Sequence, residues 1–407
     1  MLPLKDKRIR IGGWWSADPD LISDEYVKLI AESGADFIMT AKMEDTAKIN
    51  ELLDYCDKYD VECVLYDGRT YDLEDADMAG ITAGYRHHPS YVGSMIKDEP
   101  GSSAFPHLRI VYDKFKAEVP GKNPYINLFP MYASDAQLLH GLEIQEFGFF
   151  QAHEEVYANH IDEYCKTFDT PYICADVYPC RTAPDGVTRS IYPGYLENLS
   201  ILTHYCRKYN RDLWTMVQTL VWYHPAVVPN ETDLRWQFFT VMAFGATAIF
   251  HYCLATPPGH SPGLLDSEGK RSPLFYPAQR FHRYLKSISD IYLGYKHLGC
   301  FNVNCDDDHP YLQFKEQYTD FDTIQEVVTD EQLLVGCFGK EDGSGHAFVL
   351  VNMTHLCENK TAEVKLKLAN ATRVTAHLDG ITMDIAPVDG YYNFKLDSGE
   401  GVFVTVE

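Results

Sequence analysis

From residue 8 to about residue 290, short apolar runs alternate with longer stretches whose apolar positions recur every three or four residues. Eight runs have the first character: IRIGGWW, ADFIMTA, ECVLYDG, YVGSMIKDEP, PYINLFP, PYICADVYP, LWTMVQTLVWY and TAIFHYC. Each is apolar at successive positions, as expected of strands buried on both faces. The stretches between them read as amphipathic helices. SDEYVKLIAESG has a capping Ser23, apolar Tyr26, Val27, Leu29 and Ile30, and Gly34 as a stop. DTAKINELLDYCDKYD, PGYLENLSILTHYCRKYN and TDLRWQFFTVMAFGA repeat the pattern. Eight strand–helix alternations predict a parallel sheet closed into a (β/α)8 TIM barrel. An open dinucleotide-binding sheet lacks support, because the first strand runs into IGGWWS and not into G-x-G-x-x-G.

Beyond about residue 300 the pattern changes. HAFVLVNMT, AEVKLKLA, TRVTAHLD, ITMDIAP and GVFVTVE are short alternating runs separated by Gly, Asp and Asn turns. They predict a C-terminal antiparallel β-sandwich domain. The expected division is a barrel over 1–298 and a sandwich over 299–407, joined through DSEGKRSPLFYPAQRFHRYLKSI.

A (β/α)8 barrel carries its chemistry at the C-terminal ends of its strands, so the polar residues closing each run are the candidates. The first strand offers Trp14 and Trp15, the third Asp67 and Arg69, the fourth Asp98 and Glu99. The fifth offers Asn127, the sixth Asp176 and Tyr178, the seventh Gln218, Trp222, Tyr223 and His224, the eighth His251 and Tyr252. Carboxylates, amides and aromatics without a lysine suit an uncharged, polyhydroxylated ligand. Each also has a plainer role: Asp98-Glu99-Pro100 as the cap of the next helix, Asp176 as a turn former, the tryptophans as core.

Charge narrows the partners. With 59 acidic against 35 basic residues and a net charge of −24, neither nucleic acid nor an anionic membrane surface is expected. The 11 cysteines are scattered with no C-x-x-C pair, and the charged N-terminal stretch lacks a signal-peptide core, so a reducing, cytoplasmic setting is expected. No tight metal-ligand spacing such as H-E-x-x-H occurs; no metal and no cofactor are expected. The expected partner is a carbohydrate substrate, and whether the chain forms a homo-oligomer stays open.

HPSYVGSMIKDEP resembles the fourth-strand region of clan A-type (β/α)8 glycoside hydrolases, where Asn-Glu-Pro commonly ends the strand. TDLRWQFFTVMAFGATAIFHY and GLLDSEGKRSPLFYPAQRFHRYLKSI are similar to the closing regions of β-galactosidase-like barrels, and the C-terminal runs resemble the sandwich that follows many of them. The resemblance implies a glycosidase with Glu99 as acid/base and Asp98 in place of the Asn that holds the sugar 2-hydroxyl. Asp98 and Asp176 then position the sugar or supply the second carboxylate, while Trp14, Trp15, Asp67, Arg69, Asn127, Tyr178, Gln218, Trp222 and His251 line the sugar site. The family's strand-7 nucleophile is a Glu, and this chain has Gln218 there; a neutral amide cannot attack. Four alternatives follow from that departure: an α-galactosidase-like pairing of Asp98 with Asp176, assistance by a substrate 2-acetamido group, a carbohydrate-binding protein on a degenerate barrel, or a metal-dependent barrel enzyme using His251, His224, Asp176 and Glu99.

Overall fold

The computed structural model describes residues 8–141, 152–183, 185–221, 226–257, 259–305, 310–354, 356–378 and 380–407. Eight parallel strands form one sheet: β1 (Arg10–Trp14), β2 (Phe37–Met43), β3 (Glu62–Asp67), β4 (Tyr91–Asp98), β5 (Asn123–Asn127), β6 (Tyr172–Asp176), β7 (Asp212–Gln218) and β8 (Ala246–Tyr252). The hydrogen-bonded order is β5-β4-β3-β2-β1-β8-β7-β6. A parallel bridge between Leu128 and Ala175, with Leu128 N–H donating to Cys174 O at 2.9 Å, joins the two outer strands and closes the barrel.

The helices between the strands include α1 (Asp24–Glu32), α2 (Thr46–Tyr59), α3 (Met78–Thr82), α4 (Phe105–Glu118), α5 (Asp135–His140), α6 (Glu154–Thr167), α7 (Tyr195–Tyr209), α8 (Glu231–Ala243) and α9 (Phe275–Tyr292). Local chemistry sets their ends. Ser23 Oγ accepts from Tyr26 N–H at the start of α1, and Asn230 with Asp233 forms a reciprocal capping box on α8.

The barrel is packed, not hollow. In its lower half Tyr172 stacks on Trp214 at 3.8 Å between ring centroids, and Phe37 and Phe250 lie against Trp214 at 6.3 and 5.7 Å. Such a layer fits only because β1 has glycine at position 12. A Cβ there would stand 2.6 Å from Phe37 O and 2.8 Å from both phenyl rings. With the lower half filled, a ligand can enter only from the opposite mouth.

From Lys296 the chain is antiparallel. Strands β9 (Lys296–Val303), β10 (Ile324–Val328), β11 (Leu333–Gly339), β12 (His346–Asn352), β13 (Ala362–Leu368), β14 (Val374–Leu378), β15 (Ile381–Asp384), β16 (Tyr392–Leu396) and β17 (Gly401–Val406) form two sheets, β9-β11-β12-β17-β14-β15 and β10-β13-β16. Leu333, Val335, Phe348, Leu350, Val364, Leu366, Phe394 and Val404 fill the space between them. The outer face of the larger sheet packs on α8 and α9, with Tyr284 of α9 donating to His377 O of β14; Tyr292 of α9 donates to Met242 O of α8 and ties the two helices together. Among the described residues no helix is long and apolar enough to cross a membrane.

Candidate active site

In a regular strand Asp98 and Glu99 would point to opposite faces. Glu99 instead has a left-handed backbone, φ 43°, a conformation that costs a non-glycine residue roughly 1–3 kcal/mol. The turn is held by Glu99 N–H donating to Asn127 O at 2.9 Å and by Asp98 N–H donating to the Tyr71 hydroxyl at 3.0 Å. This break in alternation brings both carboxylates to the mouth.

Three carboxyl groups meet there. Asn127, directly across from Asp98 in register and only 3% exposed, donates from Nδ2 to Asp98 Oδ1 at 3.2 Å and to Asp176 Oδ1 at 2.8 Å. Tyr178 and Glu99 stand close enough to Asp176 to favour its ionised form, and the Tyr178 hydroxyl lies 3.4 Å from Met216 Sδ. Among the described residues no lysine or arginine pairs with any of the three at ion-pair distance, although Lys97, bound to Asp72, exerts a pull on Asp98.

Burial and mutual repulsion therefore govern their protonation. Loss of solvent, and after it the Asp176 charge, pushes Asp98 up to about 7. Loss of solvent pushes Asp176 up to about 6, against the pull of the Asn127 amide. Glu99 is raised well above the carboxylate range by burial, by Asp176 and by Asp98. Burial and the two neighbouring carboxylates thus all favour the protonated form of Glu99. Asp98 and Glu99 retain part of their surface on the open cleft, so a ligand can reach them.

Two tyrosine pairs flank the acids. Tyr66 and Tyr71 stand 4.7 Å apart beside Asp98, and Tyr178 and Tyr252 stand 4.6 Å apart beside Asp176. Trp14 lies in register with Tyr252 at the end of β1. Trp15 has a left-handed backbone, φ 48°, and a buried indole Nε1 without a partner. Trp222, like Tyr223 and His224, lies outside the described residues.

Four of the residues expected at the sugar site are occupied elsewhere. Asp67 turns out of the barrel, where it pairs with Arg69 at 2.7 Å and accepts from the Tyr85 hydroxyl at 2.7 Å; Arg69 also bonds Thr46 on α2. His251 points into the helical layer, its Nε2 2.7 Å from His282 Nε2 on α9 and its ring against Phe238 on α8. Gln218 is fully buried: its Oε1 accepts from Cys180 N–H, while its Nε2 donates to Cys180 O, Leu220 O and Val227 O. The residue at the strand-7 end is a backbone staple, buried out of reach of a ligand. In β3 and β8 the reason is the two-residue strand period: Tyr66 and Tyr252, one position earlier or later, take the inward face that Asp67 and His251 do not. Tyr66 and Tyr71 escaped the sequence reading, because their adjacent Asp67 and Arg69 carried the more conspicuous chemistry.

Among the described residues no group of three or more His, Cys, Asp or Glu is arranged to hold a metal ion. Two of the acids here share the Asn127 amide.

No protein-family model matches this chain, and no curated protein matches its sequence. Solved structures do match its fold. A catalytic mutant of a family 42 β-galactosidase from G. stearothermophilus superposes with a TM-score of 0.63 at 8% identity, covering 99% of this chain and 98% of that one. A family 5 glycoside hydrolase from Bacteroides vulgatus gives 0.58 at 10% identity, over 98% and 89%. A structure described as a glycoside hydrolase gives 0.57 at 10% identity, over 98% and 92%. The fold these structures share with the chain is a (β/α)8 barrel followed by a β-sandwich. At these identities the likeness is one of fold, and the chemistry has to be argued from the site.

Proposed function

We propose that this protein is a glycoside hydrolase acting on small, uncharged glycosides or oligosaccharides, with Glu99 as the general acid. The observation that carries the reading is the cluster of Asp98, Glu99 and Asp176 at an open barrel mouth, bridged by the Asn127 amide, where burial and like charge raise the pKa of Glu99. A glycosidic oxygen leaves poorly as an alkoxide, so a carboxylic acid that keeps its proton near neutral pH is the group hydrolysis needs. The tyrosine pairs offer flat apolar faces for a sugar ring, and the absence of cations around the acids fits a neutral ligand. Eleven cysteines, none of them paired, support a reducing, cytoplasmic setting.

A second reading, a carbohydrate-binding protein, is favoured by the buried Gln218 where related barrels carry a nucleophile. A panel of nitrophenyl glycosides of different sugars and anomers separates the two. The hydrolase releases nitrophenol from at least one member, and Glu99→Ala slows the cleavage of an unactivated alkyl glycoside of the same sugar far more than that of the nitrophenyl one. A melting-temperature rise with a glycoside that is never cleaved would establish the binder and overturn the enzyme.

A further inference from the structure

We infer that the groove between α8, α9 and two turns of the sandwich is a second binding site, for a small organic anion. Its ligand carries a carboxylate or phosphate on a flat ring, and Arg283 and Arg235 hold the charged end.

The groove lies outside the barrel, closed on one side by the sandwich turns at Gly380 and Glu400, and encloses about 590 Å³. Cavities of about 300–1,000 Å³ are the ones that hold small organic ligands. It shares no residue with the acid cluster or the tyrosine pairs at the mouth. Its apolar wall is fixed. Phe281 lines it half-buried, with its ring stacked on Phe238 at 4.3 Å between centroids and Tyr284 edge-on at 5.4 Å. A ring held on two sides in this way is a flat surface against which a ligand ring packs without ordering anything new.

The charge of the groove runs against that of the chain. The protein carries a net charge of −24, yet three arginines and two glutamates line this surface. Arg280 is neutralised by Glu231 at 2.6 Å, and the Glu400 carboxylate accepts from Asp397 N–H at 2.8 Å. Among the described residues Arg283 and Arg235 have no carboxylate at ion-pair distance. Arg283 is exposed. Arg235 is half-buried; it donates from Nη2 to Ser398 O at 2.8 Å, while its buried Nε has no acceptor. Ser398 itself is only 2% exposed, and its hydroxyl also lacks a partner. Buried donors without acceptors are unfavourable, and the planar guanidinium fork matches the oxygens of a carboxylate or phosphate. A neutral or cationic ligand would leave both guanidinium groups unpaired. A bare inorganic anion would leave the aromatic wall and most of the volume unfilled. An oxyanion on a ring satisfies both halves.

The full-length protein is titrated calorimetrically with inorganic phosphate, phenyl phosphate and benzoate at constant ionic strength. The expected result is one-to-one binding of phenyl phosphate or benzoate, about tenfold tighter than inorganic phosphate because the ring is buried as well. The tighter of the two shows whether the charged end is a phosphate or a carboxylate. Arg283→Gln changes an exposed side chain without a partner, so the fold should be unaffected and the affinity should fall on the order of 10–100-fold. On the unaltered protein, the bound ring compound should slow modification of Arg283 and Arg235 by hydroxyphenylglyoxal, mapped by mass spectrometry, and leave the exposed Arg86 unprotected. Four results would each overturn the inference: no binding of any probe, inorganic phosphate bound as tightly as the ring compounds, unchanged affinity in Arg283→Gln, or equal protection of Arg86. The readout is binding at this groove, so the outcome is independent of whether glycosides are cleaved at the mouth.

Discussion

At the scale of single residues the site is held together by crowding of like charges, and that has measurable consequences. Asp98 has a raised pKa in the folded state, so it favours the fold while protonated and progressively disfavours it as pH rises through about 7. Asp98→Asn should therefore raise Tm at pH 8, by roughly 1 °C for each 1 kcal/mol it relieves in a cooperative unit of this length. Below pH 4, where the carboxyl is protonated in both folded and unfolded chains, the difference should vanish. A thermal melt series over that range checks it, and equal or lower stability of the variant at pH 8 would contradict the charge picture. Asn127 acts oppositely, since its amide stabilises the ionised aspartates on either side. Asn127→Ala should shift the acidic limb of the kcat/KM profile to higher pH, an effect that a purely structural role for Asn127 would not produce.

Among the secondary-structure elements, the informative failure of sequence reading is at strand 7. Gln218 reads as a polar residue ending a barrel strand, and by position it belongs in the cleft. The structure gives its amide four partners, three of them backbone carbonyls. Replacing Gln218 by Glu should not create a nucleophile; it should set a carboxylate against those carbonyls and lower Tm by several degrees, with no gain in activity. Thermal melts and aryl-glycoside assays of Gln218→Glu check both halves. The strands themselves were legible, because burial on both faces writes long apolar runs that no helix period imitates. Which residue of a strand-end pair faces inward was not, because an alternation of two survives only where one face is polar. Asp67 and His251 look as eligible as Tyr66 and Tyr252 until the helices that enclose the outward residues are known. The Asp98-Glu99 pair was legible for the opposite reason. Two adjacent acids closing an apolar run have few ways to be satisfied, and the left-handed Glu99 turns both of them to the mouth.

Across the whole molecule, barrel and sandwich share a continuous apolar interface, with Phe338, Val349, Val351 and Phe403 of the sandwich joining the same core as Phe239 and Met242 of α8. At its centre Gly336 of β11 approaches α8 so closely that a Cβ would lie 2.2 Å from Ala243 O and 2.6 Å from Ala243 Cα. Backbone on both sides cannot yield cheaply, so Gly336→Ala should lower the melting temperature, and calorimetry should show one cooperative transition for both domains. Two well-separated transitions would contradict the shared core.

The claim that Glu99 protonates the leaving group at the barrel mouth is open to one direct measurement. Glu99→Gln keeps the shape of the side chain and removes its acidic proton. Across aryl and alkyl glycosides of the preferred sugar, the unaltered protein should show rates that depend weakly on leaving-group pKa. Glu99→Gln should lose about 10²–10⁴-fold on unactivated glycosides and little on the dinitrophenyl glycoside, which departs unaided. Hydrolysis of an unactivated glycoside by Glu99→Gln at the rate of the unaltered protein would contradict the account.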